Sequence, residues 1–207
     1  MIIMDFDKML QFVKKTLEDN NAIKSKNIHH QFRSRYTHTI RVLNWAKRIS
    51  SDLKCNTDIL YTACIFHDVG YAWGKENHAL ISSKIFEEYA KDNNLDNEFV
   101  KEVSRIISLH SNKELLNDKD STPELILLLE ADLLDEEGAL GIVWDLLAYG
   151  SKGSSDYESA LGEIYIHSGH ILSQDFMVTE KAKEYWNKKK ELVKNFIDSY
   201  KMDLFIE

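Results

Sequence analysis

Apolar residues return every three or four positions along almost the whole chain, and that rhythm constrains the fold more than any other feature. Between positions 5 and 19, Phe6, Met9, Leu10, Phe12, Val13 and Leu17 line one broad stripe. Near the other end Ala182, Tyr185, Trp186, Leu192, Val193, Phe196, Ile197 and Tyr200 do the same. A half-buried strand needs strict alternation, and no stretch of strand length alternates. One proline and eight glycines are few for the many turns of an all-β protein. The expectation is an all-α, single-domain helical bundle over residues 1–207. No repeat, low-complexity tract or linker divides it, and 43% apolar residues supply one sizeable core.

Local signals set the element limits. The polar run from Asn20 to Ser34 reads as a loop, and a second helix is predicted from Arg35 to about Leu53. Asn56-Thr57-Asp58 is a capping cluster for a third helix, which ends near Gly70. A short loop to Asn77, a fourth helix from His78 to Lys91, a turn from Asp92 to Asn97 and a fifth helix from Glu98 to His110 follow. After a charged connection, Ser121-Thr122-Pro123-Glu124 opens a sixth helix through Leu134 that continues toward Ala148. Gly150 to Ser155 reads as the most flexible segment, the chain to Asp175 as irregular, and a last helix spans Thr179 to Lys201. The motif-bearing core is placed at residues 30–140, with C-terminal helices over 157–203 packing on it.

Against this apolar background the pair His67-Asp68, at the end of the run from Ile59 to Phe66, is costly to bury unless something compensates it. Helical spacing turns further ionisable residues inward. His38 shares a face with Val42, Trp45 and Ile49, and His67 with Leu60, Ala63 and Cys64. His78 aligns with Ile81, Ile85 and Tyr89, His110 with Val103, Ile106 and Ile107, and Asp132 with Leu125, Leu128 and Leu129. One inward histidine is ordinary in a core; five helices each sending a histidine or carboxylate inward point to a convergent polar site. His38, His67, Asp68 and Asp132 offer two nitrogen and two oxygen donors. That set suits one borderline divalent ion (Mn, Fe, Co, Ni or Zn, with Mg allowed) better than Ca. Water on such an ion ionises near neutral pH, so metal-assisted hydrolysis is the expected chemistry.

Charge narrows the partners. The chain carries 26 basic and 34 acidic residues, a net charge of -8, which argues against nucleic acid or an anionic membrane. An anionic substrate would need a local patch or a metal. The N-terminal residues lack a secretory pattern and no apolar stretch is long enough to span a bilayer, so a soluble, cytoplasmic protein is expected. Cys55 and Cys64 read as reduced thiols rather than metal ligands.

Arg35-Tyr36-Thr37-His38, Phe66-His67-Asp68-Val69-Gly70 and Glu130-Ala131-Asp132 together resemble the HD-domain superfamily of metal-dependent phosphohydrolases. There a histidine, an HD pair and a distant aspartate sit on an all-helical bundle. The likeness to small bacterial members extends from Glu130 to Val143 and to Glu180-Lys181-Ala182-Lys183, covering roughly residues 30–200. It implies a mononuclear site with His38, His67, Asp68 and Asp132 as metal ligands. It also implies hydrolysis of a phosphoester or phosphoanhydride, typically in a nucleotide, cyclic nucleotide or alarmone. His78 and His110 fall where some members carry further histidines near the metal or the phosphate. Here His78 is expected to stand behind a ligand or to contact the phosphate, His110 to contact substrate, either ring to protonate the leaving oxygen, and Asp68 to hold the attacking water as well as the metal.

Many members have a lysine just after the motif glycine. This chain has Gly70-Tyr71-Ala72-Trp73-Gly74-Lys75, which leaves Lys75 as the candidate substitute. Arg35, at its helix start, suits a phosphate. Asp135 is a candidate to orient a ligand histidine or a substrate hydroxyl. Arg41 and Lys113 read first as solvated charges, His29 and His30 as solvated, His167 and His170 as surface or pocket rim, and Trp73 and Trp144 as core. The expected partner is a small phosphorylated molecule, foremost a nucleotide, and a homodimer is the assembly allowed for. Two alternatives stand beside this reading. One is a di-iron oxygenase or oxidase on the same scaffold, with the extra histidines as ligands. The other is a non-catalytic nucleotide-binding signalling module, against which the intact four-ligand set counts.

Overall fold

The computed structural model describes residues 4–51, 53–153 and 156–206. Met1 to Ile3 of the N-terminal segment, Asp52 of the predicted second helix, and Ser154 and Ser155 of the stretch read as flexible lie outside the described residues. Among the described residues nine α-helices form: α1 (Phe6–Asp19), α2 (Arg35–Ile49), α3 (Thr57–Phe66), α4 (His78–Asp92), α5 (Asn97–Leu109), α6 (Pro123–Glu136), α7 (Ala139–Gly150), α8 (Tyr157–Ile166) and α9 (Glu180–Asp203). Short 3-10 turns cover Ile28–His30, Val69–Ala72, Lys113–Asn117 and Ser168–Ser173. No strand forms among the described residues; Lys24 and Ser34 make an isolated antiparallel bridge. The fold is all-α, as the apolar rhythm predicts.

Side-chain caps fix where the site-bearing helices begin. The Thr37 amide donates to Ser34 Oγ at 3.2 Å and starts α2 at Arg35. Asn56 accepts from the amides of Asp58 and Ile59 at the start of α3. Thr122 accepts from Leu125, with Pro123 in the first turn of α6. Each such cap contributes about 1 kcal/mol. α3 is apolar on every side, with Leu60, Ala63, Cys64, Ile65 and Phe66 fully buried. It packs against α1, α2, α5 and α6. A helix enclosed in this way is the element whose end can carry a polar pair into the interior.

Several limits differ from the sequence expectation. α2 stops at Ile49, not Leu53, with the Ser50 amide donating back to Ala46. α3 stops at Phe66; Asp68 leaves the helix with φ -108° and ψ 3°, and the chain tightens into the turn Val69–Ala72. α6 does not continue to Ala148: Glu137 turns extended and Gly138 adopts φ +80°, a conformation that favours glycine, before α7 begins. The stretch expected to be irregular holds α8 and a 3-10 turn.

Two contacts position what surrounds the site. Gly70 lies so close to α4 that an added Cβ would sit 2.1 Å from the His78 carbonyl oxygen and 2.8 Å from the Ser82 amide nitrogen. Its own N–H donates to Ser82 Oγ at 2.8 Å. On the other side, buried Glu130 of α6 accepts from the amides of Val178 and Thr179 at 2.6 and 2.8 Å. A carboxylate there satisfies the open amides at the start of α9 and holds that helix on α6. No helix among the described residues is long and apolar enough to cross a membrane.

Candidate metal centre

Five helices deliver the inward-facing residues to one place. His38 comes from α2, His67 and Asp68 from the end of α3, His78 from the start of α4, His110 from the end of α5 and Asp132 from α6. All are buried except His78, which is partly so. His67 and His110 cap α3 and α5, where the last turn leaves carbonyls unpaired. Their Nδ1 atoms take up those carbonyls, His67 to Cys64 at 2.8 Å and His110 to Ile107 at 2.7 Å. His78 Nδ1 faces the Lys75 carbonyl at 2.9 Å. A carbonyl only accepts, so each of these rings carries a hydrogen on Nδ1 and turns Nε2 inward. His38 differs, its Nδ1 meeting Asp135 Oδ2 at 2.7 Å.

The four Nε2 atoms gather around Asp68. Its Oδ2 lies 3.4 Å from His38 and 3.7 Å from His67; its Oδ1 lies 3.5 Å from His78 and 3.4 Å from His110. Asp132 Oδ1 stands 3.2 Å from His38 Nε2 and 3.9 Å from His67 Nε2. Donor atoms of His38, His67 and Asp68 lie within 4.8 Å of one another, as do those of Asp68, His78 and His110, and those of His38, Asp132 and Glu136. Of the four residues expected as ligands, His38, His67 and Asp68 form one such set, while Asp132 joins His38 in another; no set holds both Asp68 and Asp132 among the described residues. Asp68 also turns one oxygen to each histidine pair, an arrangement that helical spacing does not reveal.

Fixed cations border the cluster. Arg35 Nη1 donates to Asp68 Oδ2 at 3.0 Å. Its guanidinium lies 3.6 Å over the Tyr71 ring, which in turn stacks on His78 with centroids 4.3 Å apart. Lys113 Nζ donates to Asp132 Oδ2 at 2.5 Å. Arg41 grips Asp135 through Nε at 2.6 Å and Nη2 at 2.9 Å. Arg41 and Lys113, read first as solvated, each pair with a buried carboxylate. Lys75 is exposed and lines the cavity next to Arg35. Trp73 is 56% exposed rather than core. Trp144 is partly buried beneath the Arg33 guanidinium, 4.0 Å from its ring centroid.

These surroundings decide the charges. Burial lowers His67 to about 4, so its ring is neutral near pH 7. Burial also works to lower His38, but hydrogen bonds to Asp132 and Asp135 and the charge of Asp68 outweigh it and raise it to about 9. Burial would raise Asp68 and Asp132. The histidines and Arg35 around Asp68, and Lys113 with His38 beside Asp132, hold both well below the usual carboxylate range. Nothing local in the sequence marks Arg33, in the loop before α2, or Tyr71, in the 3-10 turn after Asp68. Glu136 does carry a signal, since it follows Asp132 by one helical turn.

A helical bundle whose histidines and aspartates share one buried point defines a class of metal-binding α-proteins, and comparison places this chain within it. The family model described as HD domain matches residues 35–137, and the chain belongs to the HD-domain superfamily. Among solved structures it is similar to an HD-superfamily hydrolase from Bacillus thuringiensis, with a TM-score of 0.73, 22% identity, and coverage of 98% of this chain and 97% of the other. It is also similar to Bacillus subtilis YpgQ in complex with ADP, at 0.68, 20%, 96% and 94% on the same measures. A predicted HD superfamily hydrolase from an uncultured Thermotogales bacterium gives 0.65, 20%, 96% and 92%. No curated protein matches the chain.

Proposed function

We propose that this protein is a metal-dependent phosphohydrolase that cleaves a phosphoester or phosphoanhydride bond in a nucleotide or related small phosphorylated metabolite. The observation that supports this most is the convergence of four imidazole Nε2 atoms on Asp68, with Asp132 against His38 and Arg35 alongside. The donor chemistry fits a divalent ion. Three carboxylates draw a proton onto His38, which marks where the cluster needs positive charge; a metal ion supplies it at the same place. His38, His67, Asp68 and Asp132 would hold one such ion, of Mn, Fe, Co, Ni or Zn type or Mg. Bound there, it would lower the pKa of a water to near neutral and so supply the nucleophile.

The remaining roles belong to side chains of this chain. Asp68 accepts a hydrogen bond from the attacking water and orients it. Arg35 keeps guanidinium N–H groups free to neutralise a phosphate. His78, the most accessible of the four rings, takes a proton at Nε2 from solvent and delivers it to the leaving oxygen. His110 and Lys75 contact phosphate oxygens. Asp135 sits behind His38 and fixes its ring, so of the two roles open to it the orienting one is favoured. YpgQ, a protein of similar fold, is found in complex with ADP, which favours a nucleotide.

The test is a turnover screen of nucleoside mono-, di- and triphosphates and cyclic dinucleotides with Mn, Co, Ni and Mg, with Asp68→Ala as control. Release of phosphate or pyrophosphate by wild type alone is expected. No turnover with any metal would overturn the reading in favour of a binding module. Asp68 Oδ1, facing His78 and His110, favours a second reading in which two ions share Asp68, the arrangement an iron-dependent oxidase on this scaffold would need. Metal analysis of protein purified without added metal separates them: one ion per chain supports the first, two irons the second.

A further inference from the structure

A cavity of about 380 Å³ opens beside the cluster, and its lining reverses the charge of the whole chain. Lys24, Lys26, Arg33, Arg35 and Lys75 face it against one carboxylate, Glu136, which Arg33 already pairs at 2.5 Å. The loop before α2 builds this basin by folding back on itself. The Arg35 amide donates to the Ile23 carbonyl at 2.8 Å and the Ser25 amide to the Arg33 carbonyl at 3.0 Å. The bridge between Lys24 and Ser34 lies between them. The fold-back brings Lys24, Lys26, Arg33 and Arg35 to the wall of the same cavity. Lys26 Nζ also donates to the Ala72 carbonyl at 3.2 Å, which ties the loop to the turn after Asp68. Lys24 and Lys75 have no carboxylate partner among the described residues.

Arg35 belongs to both places: it touches Asp68 and lines the basin. A monophosphate at the cluster would use Arg35 and leave three lysines without a counter-charge. A longer phosphate chain would pass Arg35 and neutralise them. We infer that the basin is a second anionic subsite that takes the linear di- or triphosphate chain of the substrate. Lys24 and Lys26 are the residues that favour polyphosphorylated over monophosphorylated substrates. The inference rests on the reading that the reacting phosphorus sits at Asp68, but its test does not depend on turnover.

Calorimetric binding of inorganic tripolyphosphate and orthophosphate, in excess Mg so that chelation is common to every arm, provides that test. Wild type is expected to bind tripolyphosphate at least about tenfold more tightly than orthophosphate, with affinity falling as salt rises. The Lys24→Ser/Lys26→Ser double variant is expected to lose about tenfold in tripolyphosphate affinity. Both side chains are exposed, and an unchanged thermal melt confirms folding. Removing two lysines from α9, Lys188→Ser/Lys194→Ser, is expected to leave that affinity unchanged. Equal binding of the two anions by wild type, full affinity in the loop variant, or an equal loss in the α9 variant would each overturn the inference. Absence of hydrolysis in the turnover screen would instead remove the phosphohydrolase reading and leave the subsite standing.

Discussion

Histidines and carboxylates meet in two regions of this molecule, and only one of them brings three donor atoms close enough to hold a metal ion. Around Asp68 three rings are tethered by Nδ1 to backbone carbonyls and present Nε2 to a shared carboxylate. The second region is a cavity of about 440 Å³ lined by Glu137, Asp145, Glu163, His167 and His170, near α7 and α8. There the rings pair singly, His170 with Glu137 at 3.2 Å and His167 with Glu163 at 3.6 Å. Asp145 is taken up by the amide and hydroxyl of Ser168 at 3.0 and 2.5 Å. Among the described residues no three of these groups bring donor atoms within 4.8 Å of one another. The charges diverge accordingly. Asp68 and Asp132 stay ionised against burial because cations face them. Burial, with Glu136 and Asp145 nearby, pushes Glu137 up to about 7 despite His170 and Lys189. One region keeps negative charge for a cation; the other sheds it by taking a proton. His170 Nδ1 also meets a backbone carbonyl, that of His167, so the difference lies in four rings sharing one carboxylate and not in tethering or composition.

Four measurements break or sharpen that contrast. Asp68→Asn is expected to lower kcat/KM by about a thousandfold or more and to strip bound metal, whereas Asp145→Asn stays within about twofold on both counts. Similar losses in the two variants would erase the distinction. Asp135→Asn, which slackens His38 without removing a donor, is expected to weaken metal affinity by about 10- to 100-fold in competition with a chromophoric chelator. Full affinity would mean that Arg41 and packing alone hold the ring. Chelation should lower the melting temperature, because the ligands tie α2, α3 and α6 together. At a hundredfold excess over Kd the bound ion adds about 2.7 kcal/mol. A melt insensitive to chelator would mean the cluster folds equally well on its own charges.

The smallest effect concerns Glu137. Its folded pKa of about 7 lies above the ordinary value of about 4.3. The favourable contribution is therefore complete below about pH 4.3 and is lost as pH rises through about 7. Chemical denaturation should show Glu137→Gln gaining on wild type between pH 5 and pH 8, by an amount on the order of 1 kcal/mol. An equal gap at both values would show that Glu137 titrates normally.

Much of this contrast is written in helical spacing. His38 precedes, and His67, His110 and Asp132 follow, apolar partners on one helix face, and each lies where that spacing directs it. The rest depends on contacts between distant segments. Lys113 reads as a loop charge until the turn Lys113–Asn117 brings it to Asp132. Lys24 and Lys26 carry no periodicity, and only the fold-back of their loop brings them to the cavity that Arg33 and Arg35 also line. The end of α6 eludes the pattern too, because the apolar rhythm runs on through Gly138 while the backbone does not. The sharing of Asp68 by two histidine pairs rests on a departure from helical geometry at that residue, which no spacing rule contains.

The bare backbone at Gly70 has a wider consequence. The two atoms nearest an added Cβ belong to the main chain of α4, so the gap between Asp68 and His78 cannot absorb a change by turning a side chain. Even a methyl at this position would force the turn and α4 apart, and with them the residues at their two ends, Asp68 and His78. The joint thus works as a spacer of fixed thickness, and one hydrogen atom decides whether the two halves of the cluster can act on the same molecule.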